Sequence, residues 1–316
     1  MKWPLKSKLV ILILGLLFGL SLKAEEPTHK NVKYGPHARN IFDLWLPKKS
    51  LFKNPLVIFI HGGGFVSGDK ESLQKYPGTI EKLNRLGIAV AAINYRFLEH
   101  ASLQDIMKED IGGFVQYIRY NAKTYNIQKK YVMAMGSSAG GSASLWLGTH
   151  DDIAEPDHED PIKRESSRII AFAHINAQAG YDFIHWYDYF GKALTDKFMK
   201  DQIWSRYHLS QFDDLLTTEG KAIRADLDSV NNMDAEDATM YIFNSYEFKT
   251  EDNYDYDYFI HGPHHAKVLI ERAKSVGLKN VSYVKSNGDK LPNVMENVVN
   301  FFHSEIMKKK MRGLSW

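Results

Sequence analysis

Tyr131-Val132-Met133-Ala134-Met135-Gly136-Ser137-Ser138-Ala139-Gly140 is the stretch whose reading decides the fold. A strand-like apolar run ends in G-x-S-x-G, and small residues to Thr149 continue it as a helix. In that setting a serine is held on a tight strand-to-helix elbow with its hydroxyl exposed. The flanking Gly136 and Gly140 are needed because the elbow crowds the backbone and leaves no room for a Cβ. About 75 residues upstream, His61-Gly62-Gly63-Gly64 follows the apolar run Pro55 to Ile60. Backbone N–H groups of such a turn can face a developing oxyanion.

Working outward, buried-strand and helix patterns alternate. Asn31 to Pro47 reads as a leading hairpin, and Leu56 to Ile60 as a strand buried on both faces. A helix is expected over Ser72 to Leu86, a strand over Ile88 to Tyr95 and a helix over Asp105 to Tyr125. The nucleophile strand covers Tyr131 to Gly136, and its helix Gly140 to Thr149. Later strands fall at Ile169 to Ile175, Thr239 to Asn244 and Val281 to Lys285. Helices follow the last two, at His264 to Val276 and Asn293 to Lys308. This alternation predicts an α/β chain with a doubly wound, mostly parallel sheet. Between about 180 and 237 it stops, and residues 181–212 hold ten aromatics. That segment is expected to be an aromatic-rich helical cap inserted over the sheet's carboxyl edge, where it would shape a pocket.

The two glycine motifs, in this order and each after a strand, make the chain resemble the α/β-hydrolase fold over roughly residues 32–306. Within it, the chain is similar to the hormone-sensitive-lipase-like and feruloyl-esterase-like carboxylesterases. The resemblance implies a serine-dependent carboxylic ester hydrolase that forms an acyl-enzyme on Ser138. Gly63, Gly64 and Ala139 would supply the oxyanion-hole amides, and His61 would brace the glycine loop. Acyl or feruloyl esters of polysaccharides are the implied substrate class. The acid would lie in Glu251 to Asp257, and counting back from Gly277 favours Asp257 over Asp255. Asp110 matches a position with a structural role.

The histidine that such a site needs should follow the last strand, but Ser286 to Asn293 contains none. His303 lies too far along the terminal helix. His261, His264 and His265 lie at the correct edge of the sheet, on the preceding element. Three readings are open. The site could be impaired and bind an ester without turnover, which leads to an expectation of slow p-nitrophenyl acetate hydrolysis. A relocated histidine could serve instead, or Asp289 or Lys290 could act as the base. The chain also resembles a subgroup of hydrolase-fold proteins sharing YGPH-x-RN, here Tyr34 to Asn40, and a late stretch like His261 to Ala266. On that likeness the departure is a subgroup trait.

Composition sets the outer bounds. Lys2, Lys6 and Lys8 precede the apolar run Leu9 to Leu20, which is too short to span a bilayer comfortably. Residues 1–24 therefore read as a secretory signal, with 25–316 as one hydrolase domain exported to the periplasm or beyond. Those 24 residues carry four lysines and no acids, so removing them moves the net charge from +2 to about −2. No basic patch points to nucleic acid, and no membrane span is expected in the mature chain. With no cysteine, disulfides and thiolate metal sites are excluded. Asp151, Asp152, Asp157, Glu159 and Asp160 match no EF-hand spacing and read as a solvated loop. No cofactor or metal is implied. The expected partner is a small-molecule ester or acylated carbohydrate, and the oligomeric state is left open.

Overall fold

The inner strands of this chain are apolar on both faces because each packs a core on either side of the sheet. β3 (Asn54–Ile60) is buried throughout. Its Leu56, Ile58 and Ile60 join one core, and Val57 and Phe59 join the core on the opposite face. Fully burying each such side chain contributes roughly 1.5–3 kcal/mol. The computed structural model describes residues 25–48, 50, 52–199, 204–286 and 289–314. The expected leader, residues 1–24, lies outside them, as do Asn287 and Gly288 of the loop after the last strand.

The remaining strands are β1 (His29–Lys33), β2 (Ile41–Trp45), β4 (Ala89–Ile93), β5 (Ile127–Ser137), β6 (Ala171–Ile175), β7 (Thr239–Asn244) and β8 (Asn280–Val284). They form one sheet in the order β1-β2-β4-β3-β5-β6-β7-β8. β1 pairs with β2, and β2 with β4, antiparallel; every other pair is parallel. The doubly wound, mostly parallel sheet expected from the alternation is therefore present. Register then does functional work. Ile60 pairs with Gly136, and Ser137 with Ile175, which in turn pairs with Phe243. The glycine loop, the serine elbow and the segment after β7 thus leave the sheet side by side, at the edge where parallel α/β sheets bind ligands.

The helices are α1 (Thr79–Arg85), α2 (Gly113–Tyr120), α3 (Ala139–Thr149), α4 (Trp186–Phe190) and α5 (Lys192–Met199), followed by α6 (Thr218–Asp226) and α7 (Ser229–Asn232). α8 (Tyr256–His261), α9 (Pro263–Val276) and α10 (Val294–Leu314) complete the chain. Two expected helices are interrupted. Ser72 to Leu86 splits into a 3-10 turn at Lys70–Lys75 and α1, separated by Pro77 and by Gly78 at φ +76°. Proline lacks the N–H that a continuous helix would need there. The helix expected at Asp105 to Tyr125 begins at Leu103, passes through a π-helical stretch at Ile106–Gly112 and ends at Tyr120. From 180 to 237 only helices and turns occur among the described residues. Phe183, Trp186, Phe190 and Tyr207 of this segment belong to the same core as β3's Ile58. Its aromatics therefore pack it onto the body as well as lining a pocket.

Candidate active site

Ser138 has φ 54° and ψ −130°, a conformation a non-glycine residue adopts only when its surroundings enforce it. The surroundings are β3 and α3. A Cβ on Gly140 would lie 2.0 Å from the Ile60 carbonyl oxygen, so only glycine lets the elbow sit this close to β3. A Cβ on Gly62 would lie 3.3 Å from the Ser138 Cβ, which places the glycine loop directly against the elbow. Gly63 and Gly64 line the same cavity as Ser138, and Ala139 opens α3 immediately after it.

His61 of that loop is buried beneath it. Its ring stacks on Tyr95, with centroids 4.2 Å apart. Arg39 can only donate, and its Nη2 lies 3.4 Å from His61 Nε2. The proton therefore sits on Nδ1, which donates to the Gly62 carbonyl at 2.7 Å. Burial holds the His61 pKa down at about 4, so the ring stays neutral and acts as a brace.

The histidine missing after β8 is supplied by α8. His261 Nε2 lies 2.7 Å from Ser138 Oγ, and its Nδ1 lies 2.9 Å from Asp257 Oδ1. A carboxylate only accepts, so Nδ1 carries the proton and Nε2 is free to accept from the serine hydroxyl. This geometry corrects the expectation of a site without a base: the imidazole is present and comes from the element before β8. Asp257 and His261 are four residues apart, so one helical turn puts both on the same face of α8. Burial pushes the Asp257 carboxyl up, but hydrogen bonds from Tyr246 and His261 outweigh it and hold the pKa below the usual aspartate value. Tyr246 Oη donates to Asp257 Oδ2 at 2.8 Å, and its ring stacks on that of His261.

Side chains that finish the carbonyls at the end of α8 hold it against the elbow. Gln178 Nε2 donates to the Ile260 carbonyl at 2.7 Å, and Asn244 Nδ2, from the last residue of β7, to that of His261 at 2.8 Å. Helix ends leave such carbonyls without partners inside the helix, so these contacts fix the helix in place as well as satisfying it.

The other candidates have different duties. Asp255 caps α8 by accepting from Tyr258 N at 2.7 Å. His265 is buried between the Ala179 amide and the Phe259 carbonyl, and His264 meets the Tyr254 hydroxyl. Asp289 bonds to Ser286, and neither it nor Lys290 lines a cavity at Ser138. Asp110 accepts from the Arg96 amide at 2.6 Å and from its guanidinium at 2.9 Å, a structural pairing. Asp152 of the acidic loop accepts from Ser167 N at 2.8 Å. Among the described residues, Asp182, His185 and Asp228 are close enough together to share a cation. Arg224 already holds Asp182 through both carboxylate oxygens, at 2.8 and 2.9 Å.

Two cavities meet at Ser138. One, of about 250 Å³, lies under the helical segment among Phe65, Tyr181, Phe183, Trp186 and Met199, and reaches His261. The other, of about 350 Å³, lies beyond the glycine loop with Ser67, Ser72, Lys75 and Tyr76. A larger groove of about 760 Å³ opens at the amino ends of β6 to β8, away from this chemistry. Among the described residues no helix is long and apolar enough to cross a membrane.

With this geometry in place, residues 42–217 match the BD-FAE family, more than half of the chain. The chain belongs to the BD-FAE family. That family is one of carboxylesterase- and feruloyl-esterase-like α/β-hydrolases. The BD-FAE chain is also 28% identical over 163 residues to an Arabidopsis thaliana protein named "Probable isoprenylcysteine alpha-carbonyl methylesterase ICMEL1", covering 51% of this chain and 33% of that one. It thus spans about a third of the length of the curated relatives it matches. Among solved structures it is similar to a carbohydrate esterase from gut microbiota (TM-score 0.63, 17% identity, 90% of this chain and 98% of that one). It is likewise similar to esterase B from Lactobacillus rhamnosis (TM-score 0.64, 13% identity, 98% and 97%). At these identities the structural likenesses establish the shared α/β-hydrolase fold.

Proposed function

We propose that this protein is a serine carboxylic ester hydrolase in which Ser138, His261 and Asp257 act as nucleophile, general base and orienting acid. The observation that carries the reading is the 2.7 Å contact between Ser138 Oγ and His261 Nε2, continued at 2.9 Å to Asp257. A serine hydroxyl is a poor nucleophile at neutral pH without such a base. In the proposed reaction Ser138 Oγ bonds to the ester carbonyl carbon as His261 Nε2 takes its proton. The amides of Gly63, Gly64 and Ala139 receive the oxyanion, aided by the positive end of α3. Collapse breaks the bond to the alcohol oxygen, which leaves with the proton from His261. Water, activated by the same imidazole, then releases the acid from the acyl-enzyme.

The substrate class we favour is acylated carbohydrate. Support comes from family membership and from the contrast between an aromatic cavity on one side of Ser138 and a hydroxyl-bearing one on the other. Sugars suit the second, where the buried Ser72 hydroxyl has no hydrogen-bond partner. Hydrolysis of p-nitrophenyl acetate and of acetylated xylan by wild type and Ser138→Ala tests the reading. Turnover by wild type that the alanine variant loses is the expected result. Binding without turnover by both would instead favour a protein that only holds esters.

A further inference from the structure

Arg206 is a cation in an otherwise apolar place. It lies on the 3-10 turn Trp204–Tyr207 of the helical segment and lines the 250 Å³ cavity at Ser138. Its neighbours there include Phe65, Tyr181, Phe183 and Met199, and its guanidinium carbon lies 5.9 Å from the Phe183 ring centroid. A guanidinium has five N–H donors and no acceptor. One is used: Nη1 donates to the Gly64 carbonyl at 3.2 Å. Nε is buried and has no hydrogen-bond partner. No carboxylate among the described residues pairs with Arg206. Arg206 as a whole is half-buried, so a guanidinium with donors to spare faces the cavity and can pair with an anionic ligand there.

We infer that Arg206 is a specificity residue that selects esters bearing a carboxylate on the half lodged under the helical segment. This rests on the ester-hydrolase reading of Ser138 and goes beyond it by naming a charge that the substrate must carry. The planar fork of arginine matches a carboxylate through two parallel N–H···O bonds, which a neutral acyl chain or sugar hydroxyl cannot reproduce. The aromatic walls would hold the intervening carbon chain and exclude water, strengthening the pairing. Because Nη1 also holds the Gly64 carbonyl, a bound carboxylate would steady the loop that carries the Gly63 and Gly64 amides.

Matched ester pairs provide the test, with the carboxylate on either half of the substrate. Monomethyl adipate against methyl hexanoate puts it on the acyl side; 4-acetoxybutanoate against butyl acetate puts it on the alcohol side. Wild type is expected to favour the charged member of at least one pair by about tenfold or more in kcat/KM, and Arg206→Met to abolish that preference. The ratio is read because loosening the Gly64 contact slows both members of a pair alike. In parallel, calorimetric titration with glutarate is expected to detect binding to Ser138→Ala that weakens at least about tenfold in Ser138→Ala/Arg206→Met. This second readout needs no turnover, so carboxylate recognition and hydrolysis can fail separately. Equal charged-to-neutral ratios in wild type and Arg206→Met, or glutarate binding that ignores the arginine, would overturn the inference.

Discussion

Asp257 and His261 stand one turn apart on a six-residue helix, and their side chains meet at 2.9 Å while His261 reaches Ser138 from its other nitrogen. Carboxylate and imidazole therefore arrive together, on one helix anchored to β7 through Asn244. The Asp257 side chain is 63% exposed, against 15% for His261.

That exposure sets the expected cost of losing the acid. A solvated carboxylate interacts more weakly than a buried one, because water screens it. Asp257→Asn should lower kcat/KM for p-nitrophenyl acetate by about 10- to 100-fold, less than the roughly 10⁴-fold seen where such an acid is buried. Tyr246→Phe removes one hydrogen bond to the same carboxylate and should cost only a few-fold. A larger loss for Tyr246→Phe than for Asp257→Asn would show that the tyrosine touches the reaction directly.

Asn244 is almost fully buried and fixes the end of α8. Asn244→Ala should reduce stability by about 1–3 kcal/mol, the cost of leaving buried carbonyls unsatisfied. It should also slow turnover by more than tenfold, since a displaced His261 no longer meets Ser138. Urea unfolding and steady-state kinetics on one sample check both. A stability loss with unchanged kcat would mean that α8 is positioned from elsewhere.

Gly140→Ala would place a methyl 2.0 Å from the Ile60 carbonyl oxygen, against backbone that cannot swing aside. Overpacking of this kind costs typically about 1–3 kcal/mol, and here the upper end is expected. Thermal unfolding should show a lowered Tm, and the surviving folded fraction should react poorly with fluorophosphonate. An unchanged Tm would mean that the elbow and β3 can separate freely.

Much of this was legible in the sequence, for reasons that differ by element. Leu56–Ile60 of β3 and Tyr131–Met135 of β5 are continuous apolar runs that lead into glycine turns, so strand, elbow and loop could be read directly, while the polar start of β5 at Ile127–Lys130 could not. Asp257 was the acid favoured within its loop, and it is the carboxylate that meets His261. His261 was named, but its contact with Ser138 was hidden by an expectation of chain order. A histidine can reach Ser138 from any element beside the end of β5, and α8 is beside it because β7 is two strands away. The Asp-x-x-x-His spacing at 257–261 was the available signal, since residues four apart share a helix face. Gln178, Tyr246 and Asn244 could not have been read, because their contacts span 82, 11 and 17 residues with no periodic pattern. The break at Pro77-Gly78 shows how a helical spacing can continue across a residue that ends the hydrogen bonding.

Stability should depend on pH above the range where carboxylates titrate. Burial holds His61 and His174 at about 4 and His265 at about 3, against about 6.5 in the unfolded chain. Between those values the unfolded chain binds more protons than the folded one, so stability rises with pH. It should be complete above pH 6.5 and fall as pH drops toward about 4, with each imidazole contributing up to roughly 1.4 kcal/mol per pH unit. Urea midpoints at pH 7.5, 5.5 and 4.5 should decline in that order. A flat profile would mean that these rings protonate without opening the fold.

The rate of fluorophosphonate labelling of Ser138 tests the central claim most directly, because it reads activation of the hydroxyl without depending on the right ester. Wild type should label rapidly, and His261→Ala should label at least about 10³-fold more slowly, as expected when the general base is removed. His264→Ala should stay within a few-fold of wild type. A His261→Ala protein that labels as fast as wild type would contradict the account.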